Sequence, residues 1–208
     1  MLISPHTLKR MLVPTNIKEA EMSETEKLEI ESTFAFHSAP TLLGVKCANL
    51  ISFDTDEDTM SEYLHEFADK LNDSGLCAKQ LCKCRKRTLV YIYNEKMLDA
   101  WMKMTQARDF LSEYGYTADM TMEEMLDMLA SRMNCGSFPH EIGVFLGYPI
   151  GDIKGFIRNS GKNCLFCGYW KVYENADEAR RIFKIYDRCR NILFDRLNHG
   201  MNLFQAVK

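Results

Sequence analysis

Little in this sequence is extreme, and each missing feature closes a class of function. No apolar run approaches the roughly 18 residues that a membrane-spanning helix needs. The opening stretch, MLISPHTLKRMLVP, lacks the apolar core and small-residue cleavage site of a secretory leader. A cytoplasmic protein with no membrane partner is therefore expected. Neither G-x-G-x-x-G nor G-x-x-x-x-G-K-[ST] occurs, so no ready-made nucleotide loop is implied. Charge of one sign is not in excess: 26 basic and 29 acidic residues leave a net −3. A whole-molecule electrostatic grip on nucleic acid is not expected from that balance. Internal repeats and low-complexity tracts are absent too, and the composition excludes a disordered chain, a collagen-like chain and a supercharged tail.

What is present is the composition of an ordinary globular chain. Apolar residues make up 46% of the 208 positions and charged residues 26%. A chain of this length buries about two thirds of its unfolded surface, so neither a disulfide nor a metal is required merely to fold. Eight cysteines are spread through it. In a reducing compartment they stay thiols, which leaves packing, metal or redox chemistry as their uses. The charge is uneven along the chain. Residues 1–137 hold 15 basic and 22 acidic side chains, whereas residues 138–208 hold 11 and 7. The C-terminal third is thus the part suited to an anion, although a solvated arginine face on its last helix would produce the same count.

Periodicity and punctuation give a coarse map. Residues 1–22, with Pro5 and Pro14, read as an arm ahead of a single domain over 23–208. Ser23 and Glu26 make a capping box and predict a helix from Glu24 to Phe36. Pro40 then suits the first turn of a new short helix. Ala48–Phe53 reads as a buried strand. Thr59 and Glu62 start a second helix that Gly75 stops. Leu76–Cys84 and Thr88–Tyr93 form a hairpin with Lys83, Arg85, Lys86 and Arg87 at its turn. A helix follows with Met97, Trp101, Met104 and Leu111 on one face and its end near Gly115, and another begins at the Thr121/Glu124 capping box. Short helices are predicted in Phe138–Leu146 and Ile150–Arg158, a strand over Cys164–Tyr173, and a last helix capped by Asn175 and closed by Gly200. Eight of the 13 methionines fall between Met97 and Met133, which suits core filling on amphipathic stripes or an adaptable groove. The order shows no regular alternation of strand and helix. It predicts an α+β fold with a small, mostly antiparallel sheet of about four strands and several surrounding helices.

Two blocks carry a resemblance. FHSAPTLLGVKCANLISF (36–53) and FPHEIGVFLGYPIGDIKGFIRNSGKNCLFCGYWKVYEN (138–175) resemble a bacterial family defined by a domain of unknown function, number three-seven-nine-three, over roughly residues 30–208. The resemblance implies no activity. It leaves open whether Ser38 stands where relatives use a cysteine.

Five constellations are candidates for chemistry. His37 and Ser38 precede Pro40. At a helix N-terminus, the Ser38 hydroxyl would sit in the positive end of the dipole and could hold an oxyanion, or simply cap the helix. His140 and Glu141 follow Pro139 at another predicted helix start. There His140 could serve as base or metal ligand, with Glu141 orienting it or ligating beside it. Adjacent helical side chains diverge by about 100°, which favours separate local roles instead. Cys164 and Cys167 form a C-x-x-C, and Cys82 and Cys84 a C-x-C, but the pairs lack zinc-ribbon spacing. They are candidates for metal or redox chemistry, with plain core packing as the alternative. Arg158 and Lys162 flank a polar Asn/Ser/Gly turn able to hold a phosphate or carboxylate. Finally, residues 141–158 fit a helix-turn-helix hydrophobic pattern, with Ile150–Arg158 as recognition helix. Its polar face would offer only Asp152, Lys154, Arg158 and Asn159, which is thin for base contacts.

The reading favoured by these residues is a pocket for a small molecule, anion or metal. It would be built from the His37-Ser38 turn, the His140-Glu141 helix start and the Cys164–Tyr169 strand, with enzymatic activity left open and no particular cofactor implied. The alternative is a DNA-binding or partner-binding regulator that uses the 141–158 hairpin. Two packing expectations accompany it. The hairpin should lie packed, because Val144, Phe145, Leu146, Ile153, Phe156 and Ile157 are too many large apolar groups for a projecting arm. Cys189 should be buried between Tyr186 and Leu193 on the last helix.

Overall fold

The computed structural model describes residues 22–84, 87–133 and 138–208. The arm expected over 1–22 lies outside the described residues apart from Met22, as do Arg85, Lys86 and Cys135 and the side chains of Cys82, Lys83 and Cys84. Helix α1 (Glu24–Leu42) starts at the capping box read from the sequence: Glu26 N donates to Ser23 Oγ at 3.2 Å, and Ser23 N donates to Glu26 Oε2 at 2.9 Å. It does not stop at Phe36. It continues through Pro40 to Leu42, although proline removes a backbone donor and its ring crowds the carbonyl four residues earlier. That carbonyl belongs to Phe36, and it accepts from Arg190 Nε at 3.1 Å. A donor from the far end of the chain therefore replaces the bond that Pro40 forfeits, and the helix stays whole.

Three strands form the main sheet. Strands β1 (Ala48–Phe53), β2 (Leu76–Cys84) and β3 (Arg87–Asn94) are antiparallel in the order β1-β3-β2. Ala48 faces Tyr93 and Phe53 faces Thr88 across one ladder, while a register shift between Gln80 and Cys82 interrupts the other. Side chains alternate across a strand, so β3 serves two cores at once. Val90 and Ile92 enter the first, with Ile30, Phe34, Phe53 and Tyr63; helices α1 and α2 (Glu57–Leu71), part of α8 (Ala176–Asn198) and α9 (Leu203–Ala206) close it. Tyr91 enters the second. It is covered by α3 (Glu95–Met102), α4 (Thr105–Ser112), α5 (Met122–Arg132), α6 (Ile142–Phe145) and α7 (Ile150–Arg158).

The fold is α+β, as expected, with differences of detail. The expected fourth strand, Cys164–Tyr173, is a separate two-stranded ribbon, β4 (Phe166–Cys167) and β5 (Lys171–Val172). Its aromatic run folds back at Gly168, where an added Cβ would lie 2.2 Å from the Phe183 ring. The single helix expected from Met97 to near Gly115 is broken at Lys103 and Met104 into α3 and α4. Asn175 precedes α8 in a left-handed conformation (φ 48°) and makes no side-chain cap. Helix α9 was not anticipated, although Asn202 and Gln205 form a capping box at its start.

Candidate functional site

Helices α6 and α7 are joined at Gly147, whose φ of +70° only glycine adopts readily. A Cβ there would meet Cys47 Sγ at 2.4 Å, so the turn presses directly on the end of β1's lead-in. Helix α6 is anchored by side chains that take its carbonyls. Trp101 Nε1 donates to Val144 O at 2.7 Å, and Tyr91 Oη donates to Phe145 O at 2.6 Å. Helix α7 is tied to the ribbon through Asp152, which is 3% exposed. Its carboxylate accepts from Trp170 Nε1 at 2.7 Å, Tyr173 N at 2.7 Å and Glu174 N at 2.9 Å. Three donors satisfy a buried charge that would otherwise be costly. Gly155 lets the ribbon close in, since a Cβ there would lie 2.5 Å from Tyr173 Cβ.

Between α6, α7 and the ribbon is a cavity of about 460 Å³. Its walls are mostly apolar, with Phe138, Tyr148, Ile153, Phe156, Ile157 and Trp170 among them. The rings of Tyr148 and Trp170 sit 5.4 Å apart, and Phe183 packs edge-on to Trp170 from behind at 4.5 Å. Phe138 and Phe156 remain 55% and 37% exposed, so this wall opens to solvent. Polar groups in the lining are few: His140, Asp152 and Lys171. The His140 ring stands 6.0 Å from the Phe156 ring. The Lys171 ammonium lies 5.7 Å from the same ring and donates to Gly161 O at 2.7 Å. Trp170 and Asp152 are shared with a second cavity of about 460 Å³, lined by Trp101, Gln106, Glu174 and Glu178.

The sequence candidates are scattered around this cavity. His140 lines it, but Glu141 does not. Glu141 is 2% exposed and accepts from Arg132 Nη1 at 2.7 Å, so the two neighbours point apart and Glu141 does not orient His140. Arg132 in turn donates to Tyr114 O at 2.6 Å and lies over the Tyr116 ring. Ser38 is not at a helix N-terminus. It is fully buried in mid-helix, and its hydroxyl donates to Phe34 O at 2.6 Å, so no helix-end dipole acts on it. His37 sits beside Arg190 on α1, where burial and then the Arg190 charge hold its pKa below the ordinary value. Arg158 and Lys162 are exposed at the end of α7 and in the following turn, outside the lining. Cys164 is half-buried and Cys167 exposed, and neither lines the cavity. Among the described residues no three His, Cys, Asp or Glu side chains come together as a metal site.

The family model described as "Protein of unknown function (DUF3793)" matches residues 34–207. The chain belongs to the DUF3793 family. No curated protein and no solved structure matches it. The DUF3793 match takes in every element that frames the cavity, from the end of α1 to α9. Among the described residues of this DUF3793 chain, no helix is long and apolar enough to cross a membrane.

Several residues that shape the site were not singled out from sequence. Asp152, expected on a polar recognition face, is the buried tie between α7 and the ribbon. Helix α6 is a single turn, and α7 buries Ile150, Asp152, Ile153 and Gly155, so the hairpin has no free recognition helix. Five of its six large apolar groups are covered as expected; Phe156 is the exception because it walls the cavity's edge. Lys46 gave no signal at all. Its ammonium is buried, donates to Ala48 O at 2.5 Å and lies 5.3 Å from the Tyr148 ring, on which the cavity depends. Burial lowers its pKa to about 8.

Proposed function

We propose that the protein binds an apolar small molecule in the cavity between α6, α7 and the ribbon. The observation that carries this reading is the lining itself. A volume of about 460 Å³ lies within the ~300–1,000 Å³ of ligand pockets, and an aromatic and aliphatic wall with a few polar groups is their usual composition. The Gly147 turn, the Trp101 and Tyr91 bonds to α6, the Asp152 tie and the close approach at Gly155 hold that wall in place, so little ordering accompanies binding. No cysteine is part of the lining, and the reading rests on binding rather than on thiol or metal chemistry. The setting we propose is the cytoplasm, on the strength of the eight cysteines read as thiols.

The test is calorimetric titration with 2-naphthamide, a neutral aromatic probe, using wild type and Ile157→Trp. Ile157 is a half-buried lining residue, and the larger indole fills the space beside Phe156. Saturable binding at one site in wild type, lost in Ile157→Trp with unchanged circular dichroism, is the expected result. Equal binding to both proteins would place the probe elsewhere and end the proposal.

A further inference from the structure

We propose that the natural ligand of this cavity is a monocarboxylic acid with an apolar body, its carboxylate held by Lys171 with His140 nearby. The inference rests on the cavity reading above and adds the ligand's charge and polarity. Lys171 is an exposed residue of the lining, so it stands at the cavity's edge and not at its floor. Its ammonium is stationed by the Gly161 carbonyl at 2.7 Å. That carbonyl is itself fixed. Gly161 N donates to Phe156 O at 2.8 Å, Lys162 N to Asn159 O at 2.9 Å, and Asn159 Nδ2 to Gly155 O at 2.8 Å. Ser160, Gly161 and Asn163 all take left-handed conformations, which bends the turn back over the Phe156 ring.

An ammonium has three donors. One is used on Gly161, and among the described residues no carboxylate pairs with Lys171, so two remain for a ligand. The cation is thus positioned before the ligand arrives, beside a wall of apolar rings. The lining's own carboxylate does not compete for it. Both oxygens of Asp152 are engaged by Trp170 Nε1, Tyr173 N and Glu174 N. Arg158 and Lys162 lie in and next to the same turn and add positive potential without touching the lining. A single stationed ammonium with two spare donors matches a monoanion with two oxygens. A phosphate dianion calls for more donors than this rim presents.

The test compares 2-naphthoate with 2-naphthamide, its neutral isostere, by calorimetry at pH 7.5 and low salt. Wild type should bind the acid about tenfold more tightly than the amide, the gain of one charge-assisted contact. Lys171→Met should weaken the acid far more than the amide and bring the two probes level. Added sodium chloride should weaken the acid alone. Amide bound at the cavity with no advantage for the acid would overturn the carboxylate inference and leave the cavity reading standing. An acid preference that survives Lys171→Met would overturn the assignment of the anchor. Tighter binding of 2-naphthyl phosphate than of 2-naphthoate would move the ligand class to phosphate esters and overturn the proposal. Failure of every probe would overturn the cavity reading and this inference with it.

Discussion

The two sides of the central sheet solve packing differently. On the α1 side, Phe34 packs against Phe53, Tyr63 and Phe67 at centroid separations of 4.9, 5.5 and 5.6 Å, and all four are 3% exposed or less. Interior side chains there meet one another ring to ring. On the far side, beyond α6 and α7, Tyr148 and Trp170 meet each other on one side and a cavity on the other. Order there comes from polar ties, Asp152 above all, and from glycines that admit close approach. The first region is held by filled volume and the second by directed bonds around unfilled volume. The aromatic-walled cavity belongs to the second.

Substitutions should break the two regions differently. Phe34→Ala opens a hole in the filled core and should cost about 4 kcal/mol of unfolding free energy. Urea denaturation measures it, and 2-naphthamide binding to the remaining folded protein should be unchanged. Asp152→Ala leaves three donors of the ribbon without an acceptor and should cost about 3 kcal/mol. Here the loss should come with loss of probe binding, because the cavity wall is what the bonds hold. Retained binding in Asp152→Ala would erase the contrast between the regions.

Lys46 sharpens it further, since it is a buried cation behind Tyr148 with no carboxylate partner among the described residues. Its pKa of about 8 in the folded protein lies below the ordinary 10.5, so between those values the unfolded chain binds more protons than the native one. Wild-type stability should therefore rise as pH increases through 8 and 9, and the full cost should be present below pH 8. Lys46→Met should be more stable than wild type at pH 7 by at most about 3 kcal/mol, with the gap narrowing towards pH 9. Thermal unfolding of the two proteins across that range is the measurement, and a constant gap would show that Lys46 does not titrate there. The smallest effect belongs to the capping box: Ser23→Ala should cost about 1 kcal/mol, read from the urea midpoint, without touching the cavity.

Local signals were legible and distant ones were not. The Ser23 and Thr121 capping boxes, strand β1 and the burial of Cys189 each depend on a few neighbouring residues, and each is found where expected. The length of α1 is not legible locally, because Pro40 is a break signal there and the donor that cancels it sits on α8. Ser38 lost its expected place at a helix end for the same reason. Glu141 finds Arg132, and Asp152 finds Trp170, through pairings that only the assembled fold creates. An apolar cavity has no signature of its own in sequence, because the residues that line it look like core residues.

The bonds that complete α1 bear on how the protein comes into being on the ribosome. The Phe36 carbonyl waits for Arg190, 154 positions later, and the buried Glu31 carboxylate accepts from Leu203 N, 172 positions later. Neither acceptor meets its protein donor while the nascent chain is only partly made. The N-terminal core therefore cannot close domain-fashion as it emerges; it stays provisional until α8 and α9 leave the exit tunnel. A chain cut short before Leu203 lacks that donor and also lacks Leu203, Phe204 and Ala206, the side chains that close the first core over Glu31.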